Sequence, residues 1–291
     1  NFGGHSGTLK MWGVNGVGKA FSWDGTTYQP IHTGMTTDTP NHLMIHKQHL
    51  VLSFSGGSVQ TSGTGAPYSW TVVTGASEMG MGDEVTAMQS QVSGVAVIFA
   101  RSLISVLYGS DVNDWDLVPY ADDAGAIEWT VQKIGVPLYA DDQGIRKLTT
   151  TQQYGDFRLG TVTQAVEPLI QKKKADGVTM VASIRVRAKD QYRIYFSDNT
   201  GLVIYFGRKV PEITTFDLGM RVYCICSSED SSGNEIIFMG SDDGYIYQLD
   251  AGTSDDGSAI TAWIRLPFNH VGSPARNKRW HKADLEVDSP D

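Results

Sequence analysis

Apolar strand–turn–strand units recur along the chain, glycine and aspartate fill most of their turns, and helical patterning is confined to one short segment. Together these observations predict an all-β fold. The units are 49–54 (HLVLSF) with 58–61, 95–100 (VAVIFA) with 103–108, 136–140 (VPLYA) with 145–148, 192–196 (YRIYF) with 202–206, and 235–239 (EIIFM) with 245–249. Their starts are spaced by roughly forty to fifty-five residues, the period of multi-stranded sheets repeated about an axis. A four-stranded sheet has two faces and cannot cover both by itself, whereas sheets stacked around an axis cover each other. The expected architecture is therefore a degenerate β-propeller of about five or six blades. Neither Trp-Asp dipeptide repeats nor paired kelch glycines mark the units.

The opening segment reads as one more hairpin, 9–12 turning through 13–18 into 19–23. Gly13, Gly18 and Lys19 also satisfy the first seven places of a phosphate loop, G-x-x-x-x-G-K-[ST]. That loop must open a helix whose amides hold phosphate, and a Ser or Thr must follow the lysine. Here Ala20 follows, and 20–25 (AFSWDG) reads as strand and turn. The one convincing helix runs from Glu167 and Pro168 to Ala175. Pro168 suits the first helical position, Lys172, Lys173 and Lys174 suit the last turn, and Gly177 suits the stop. The lysines read as a solvated end that compensates the helix dipole, with a small anion site as the alternative.

Residues 1–250 are assigned to the propeller. At 251–257 (AGTSDDG) the texture becomes that of a connector. Beyond it, 260–266 and 280–287 alternate like two strands that close the propeller or begin a second β module, so 251–291 forms the second region. No uncharged apolar run approaches the roughly eighteen residues of a membrane span. The N-terminus, Asn1-Phe2-Gly3-Gly4, lacks both a starting Met and a signal-peptide pattern, so the chain reads as a processed or partial product.

The 291 residues carry a formal charge of -9, which argues against a broad nucleic-acid-binding face. Candidate chemistry is sparse. His42, His46 and His49 would converge on a helix, but their surroundings read as two strands, with His42 and His46 on one face and His49 not required to join them. Asp141-Asp142, Asp198-Asn199 and Asp242-Asp243-Gly244 invite calcium, yet they fit no EF-hand spacing and are what tight hairpin turns demand. Cys224 and Cys226 share one strand face and read as small packed side chains. Trp12, Trp23, Trp70, Trp115, Trp263 and Trp280 read as blade packing, with stacking on sugars or a partner as the alternative. Residues 227–233 (SSEDSSG) have the composition but not the spacing of a sialidase Asp box. No nucleophile elbow is present. No catalytic, cofactor-binding or metal-binding residue is assigned.

Residues 49–87 (HLVLSFSGGSVQTSGTGAPYSWTVVTGASEMGMGDEVTA), 235–250 (EIIFMGSDDGYIYQLD) and 266–287 (LPFNHVGSPARNKRWHKADLEV) resemble structural tail proteins of tailed bacteriophages, as does the opening KMWGVNGVGKAFSWDGTTYQPI. Within that group the chain looks most like the tail nozzle, or tail tubular protein B, of short-tailed phages. The resemblance covers most of the chain in texture and brings no catalytic residues. It implies a virion protein forming a sixfold ring below the portal and its adaptor. Genomic DNA would pass through that ring without sequence-specific binding, and fibres or spikes would attach outside. The acidic balance suits such a conduit, since like charge lets DNA slide. The alternative is a propeller that binds or cleaves carbohydrate on a host surface. An open axial pocket with convergent carboxylates and exposed tryptophan would favour that alternative; a plugged axis would favour the structural role.

Overall fold

Each hairpin read from the sequence forms, but as part of a larger sheet. In the computed structural model, which describes residues 9–91, 94–148, 162–208, 210–263 and Arg279, a further strand precedes five of them. The chain divides into two compact units, Asn1–Ala251 and Gly252–Asp291.

Among the described residues the first unit holds six antiparallel sheets, each a meander in chain order. The first comprises β1 (Met11–Gly13), β2 (Phe21–Trp23) and β3 (Tyr28–Pro30). The second comprises β4 (His42–His46), β5 (His49–Phe54), β6 (Ser58–Thr61) and β7 (Ser77–Gly80). The third comprises β8 (Val85–Ser90), β9 (Ala96–Ala100), β10 (Ile104–Tyr108) and β11 (Asp116–Ala121). The fourth comprises β12 (Gln132–Ile134), β13 (Val136–Ala140) and β14 (Ile145–Lys147). The fifth comprises β15 (Met180–Val186), β16 (Gln191–Phe196), β17 (Thr200–Tyr205) and β18 (Glu212–Asp217). The sixth comprises β19 (Val222–Glu229), β20 (Glu235–Ser241) and β21 (Ile246–Leu249). First strands adjoin first strands: β4 lies by β8, β12 by β15, and β15 by β19. This is a β-propeller with six blades among the described residues.

Apolar side chains join successive blades face to face. Ile31 of the first blade meets Leu50 and Leu52 of the second, and Val51 and Val59 meet Ile98 and Leu107 of the third. Phe99 and Ile104 meet Tyr139 of the fourth. Leu138 and Ile145 meet Tyr192 and Ile194 of the fifth. Ile184 and Tyr195 meet Ile237 and Met239 of the sixth. Burying each such side chain contributes about 1.5–3 kcal/mol.

Among the described residues no buried cluster joins the sixth blade to the first. On the first blade, Met11, Trp23 and Tyr28 align across the three strands. They point away from the second blade, and Met11 and Tyr28 are each 57% exposed. On the sixth blade, Cys224 aligns with Gly240 and Ile246, and Cys226 with Phe238 and Gln248, on the face turned from the fifth blade. Ile246 is 77% exposed there. The cysteines do share a face, as read from the sequence, but both are exposed rather than packed. No sheet among the described residues covers that face.

The opening glycines form a turn, with Asn15 Oδ1 accepting from the amides of Val17 (3.1 Å) and Gly18 (2.8 Å) between β1 and β2. The helix, α1 (Glu167–Ala175), begins and ends where expected, with Gly177 in the left-handed region at φ 75°. Its last turn is less solvated than the sequence suggests. Lys173 bonds Asp198 at 2.7 Å and Lys174 bonds Asp142 at 2.8 Å, so their charge is spent on neighbouring blade turns. The acidic turns are turn chemistry. Asp141 Oδ1 accepts from the amides of Gln143 and Gly144, Asp198 caps Thr200, and Asp243 caps Tyr245.

His46 and His49 flank the two-residue turn of Lys47 and Gln48, whose φ values of 43° and 64° are those of a type I′ hairpin. They are directly paired, so His49 does join the face of His42 and His46. Both rings pack on Trp115, at 5.9 and 5.3 Å between centroids. His49 donates from Nδ1 to the Ser62 carbonyl at 2.5 Å and accepts at Nε2 from Thr64 at 3.1 Å, which sets its tautomer. His46 meets Ser90 through Nδ1, while its buried Nε2 has no hydrogen-bond partner.

The second unit contains a two-stranded ribbon, β22 (Ser254–Asp255) and β23 (Ser258–Ala259), turning through Asp256 and Gly257 at positive φ. Residues 260–263 carry no strand. The rest of the strand expected over 260–266, and the one over 280–287, lie outside the described residues.

Two predictions follow from these interfaces. Burial, then the charges of Lys47 and His49, lower the His46 pKa from 6.5 to about 4. A lowered histidine pKa means the unfolded chain takes up the proton first, so stability is full above pH 6.5 and falls as pH drops towards 4. Urea titrations across that range should show a loss of about 3 kcal/mol that His46→Gln lacks; equal slopes in the two proteins would refute it. The second concerns Asp250, where β21 ends. Its carboxylate grips the buried Arg193 guanidinium through two bonds of 2.9 and 2.6 Å and accepts from Lys189 at 2.9 Å. Asp250→Asn should cost about 2–4 kcal/mol in urea unfolding by leaving Arg193 buried and uncompensated. The pair Arg193→Met with Asp250→Asn should recover most of that, since Asn keeps the left-handed backbone at position 250 (φ 58°).

Candidate functional site: the axial cavity

The first strands, of which the sequence reading missed those of the third, fourth and fifth blades, enclose a cavity of about 570 Å³ to which every one of the six blades contributes. Its wall is set partly by a repeated irregularity. Strand register slips once at the start of β8, between Val85 and Ala87, of β15, between Met180 and Ala182, and of β19, between Val222 and Cys224. The extra residues are Thr86, Val181 and Tyr223, and all three line the cavity. A β-bulge re-aims a side chain that regular pairing would place elsewhere.

The wall combines aromatic side chains, Trp12, Trp129 and Tyr223, with the uncharged polar groups of Asn41, Thr86 and Gln132. Among the described residues no lysine, arginine, aspartate or glutamate lines it. His42 is the histidine that reaches the axis, and burial lowers its pKa, so the ring is held neutral. The nearest carboxylates stand beside it. Glu128 Oε1 is 3.6 Å from His42 Nε2, and burial followed by the charge of Glu84 raises the Glu128 pKa. Glu84 itself accepts from Asn41 Nδ2 (3.2 Å) and the Gly56 amide (2.8 Å). On the sixth blade, Arg221 lies over the Tyr223 ring at 4.9 Å.

Trp129 is the one tryptophan not singled out in the sequence, and it is the unusual one. It has φ 65°, a left-handed conformation that a bulky side chain rarely adopts. It is 58% exposed, and its indole packs against His42 at 5.7 Å. The turn is held from several sides. Thr130 is fully buried; its Oγ1 donates to the Ile127 carbonyl (2.6 Å) and accepts from the Ala140 amide (3.1 Å). Tyr192 donates to the Thr130 carbonyl, and Ser183 donates to the Trp129 carbonyl at 2.7 Å. Gln132 completes the set by donating to Ser183 Oγ at 3.1 Å.

The other sequence candidates lie elsewhere. Trp23 belongs to the face of the first blade that no other described sheet covers, and Trp70 is anchored by a bond from Nε1 to the Pro67 carbonyl at 3.0 Å. Trp115 serves the histidine pair, Trp263 is exposed in the second unit, and Trp280 lies outside the described residues. Of the two axial outcomes considered from sequence, the open pocket with an exposed tryptophan is present, while the carboxylates stand beside His42 rather than in the wall.

No family model and no curated protein matches the chain. Solved structures do. A mercury-soaked crystal structure of BBS1N in complex with ARL6DN matches at TM-score 0.56 and 11% identity, over 84% of this chain and 74% of that one. A streptogramin B lyase structure matches at TM-score 0.50 and 12% identity, over 86% and 82% respectively. A chain of a mitotic checkpoint complex crystal structure matches at TM-score 0.50 and 12% identity, over 80% and 70%. At such identities the likeness carries the β-propeller fold and nothing of function.

Proposed function

We propose that this chain is a structural virion protein of a bacteriophage tail, a nozzle or tail-tube component whose activity is assembly rather than catalysis. The observation that carries the reading is the pair of apolar faces on the terminal blades that no sheet covers among the described residues. Met11, Trp23 and Tyr28 on one and Cys224, Phe238 and Ile246 on the other are aligned sheet surface of the kind that is buried between all other successive blades. Apolar surface of this type marks a protein contact. Two unlike faces on one subunit are also what head-to-tail contacts use, and these generate rings when the rotation closes.

In this reading a neighbouring copy covers the terminal blades, and the ring docks on portal and adaptor proteins and carries fibres or spikes. The conduit for DNA belongs to the ring and not to the propeller axis, whose cavity is small and neutral. The excess of acidic groups, a net charge of -9, then keeps DNA mobile in the conduit.

The test is light scattering with electron microscopy of the full chain. Rings of about six subunits are expected. Replacing Tyr28 and Ile246 by Ser should shift the mass towards monomer while leaving the unfolding midpoint within about 0.5 kcal/mol of the parent, since both side chains are already exposed. A chain that stays monomeric alone and with portal and adaptor proteins would sink the reading.

A further inference from the structure

We propose that the axial cavity is a binding site for a small neutral saccharide, with Trp129 as its stacking platform. The inference is independent of the assembly reading. It starts from the backbone of Trp129. A bulky residue held at positive φ costs of order 1–3 kcal/mol, and such strain persists only where surrounding structure over-determines it. Here Thr130, Tyr192, Ser183 and Gln132 do so, and what they hold in place is a half-open indole beside the cavity. Glycine would occupy this turn without strain and glutamine or asparagine would be cheaper to expose. The conformation therefore serves to present an aromatic face.

The chemistry of the wall selects the ligand class. A cavity of about 570 Å³ lies within the usual range for small-molecule sites, about 300–1,000 Å³. With His42 neutral and no charged side chain in the wall among the described residues, an ionic ligand would lose its hydration without a counter-charge inside. A ring that is apolar on its C–H faces and hydroxylated at its edge matches what the wall offers. Trp12, Trp129 and Tyr223 supply aromatic surface, while Asn41, Thr86 and Gln132, whose own donors are engaged by Glu84, Phe99 and Ser183, supply acceptor oxygens for sugar hydroxyls. Glu128 stands 3.6 Å from His42 and holds a carboxylate acceptor next to the wall. Three separate bulges bring Thr86, Val181 and Tyr223 to the same cavity, so the wall is built and not merely left over between blades.

The experiment is calorimetry of the full chain with millimolar glucose, galactose, N-acetylglucosamine and their disaccharides, after a glycan-array screen, with sialic acid and glucosamine as the charged arms. At least one neutral sugar should bind. Trp129→Gly should weaken it at least about tenfold, equivalent to about 1.4 kcal/mol, while the unfolding midpoint stays level or rises because strain is relieved. Trp263→Ala, in the second unit, should change nothing. The proposal is overturned if no neutral saccharide binds the parent chain, if only the charged sugars bind, or if Trp129→Gly binds as the parent does.

Discussion

The covering of one sheet face by the next is the constraint from which the rest of this molecule follows. A three- or four-stranded sheet buried on one side only leaves its other apolar face in water, at a cost of about 25 cal/mol for every Å². Five successive interfaces settle that cost, and they do so with large side chains placed back to back: Phe99 against Tyr139, Tyr192 beside Leu138, Tyr195 beside Ile237. The same rule makes the terminal blades conspicuous. Met11, Trp23 and Tyr28 would be ordinary interface residues anywhere else in the ring, and so would Phe238 and Ile246.

Stacking also brings six first strands together, and the space between them has to be lined by something. Regular pairing would leave that choice to strand alternation. Bulges at the start of β8, β15 and β19 override it, and the left-handed turn at Trp129 overrides it again on the fourth blade. Local irregularity here is supported by buried hydrogen bonds, above all those of Thr130, so the cost is met within the blade interface rather than at the cavity.

Most of the titratable side chains that drew suspicion are committed to architecture. Asp141, Asp198 and Asp243 satisfy turn amides, and their remaining oxygens or neighbours take up Arg146, Lys173 and Tyr247. Asp142 ties Arg101 of the third blade to Lys174 of α1. His46 and His49 line the junction of the second and third blades with Trp115. Such groups recur at blade edges because hairpin turns require residues tolerant of positive φ, and these residues are polar.

The sequence by itself determined the all-β class, the repeat and its hairpins, the helix from Glu167 to Ala175 and the turn role of the acidic residues. Each of these rests on local physics: alternation along a strand, the φ tolerance of Gly, Asn and Asp, the fixed φ of proline. It named no strand at β8 (VTAMQS), β12 (QKI) or β15, which edge a mixed, partly polar cavity, so that β8 and β12 in particular lack a clean apolar signature. It placed the cysteines inside because apolar flanks usually mean burial, whereas only the tertiary structure decides which blade lacks a neighbour. Trp129 carried no local signal at all: nothing in the run AGAIEWT announces a left-handed tryptophan. Its conformation is imposed by Ala140, Ser183 and Tyr192, residues 11 to 63 positions away whose proximity exists only once the fourth and fifth blades have stacked.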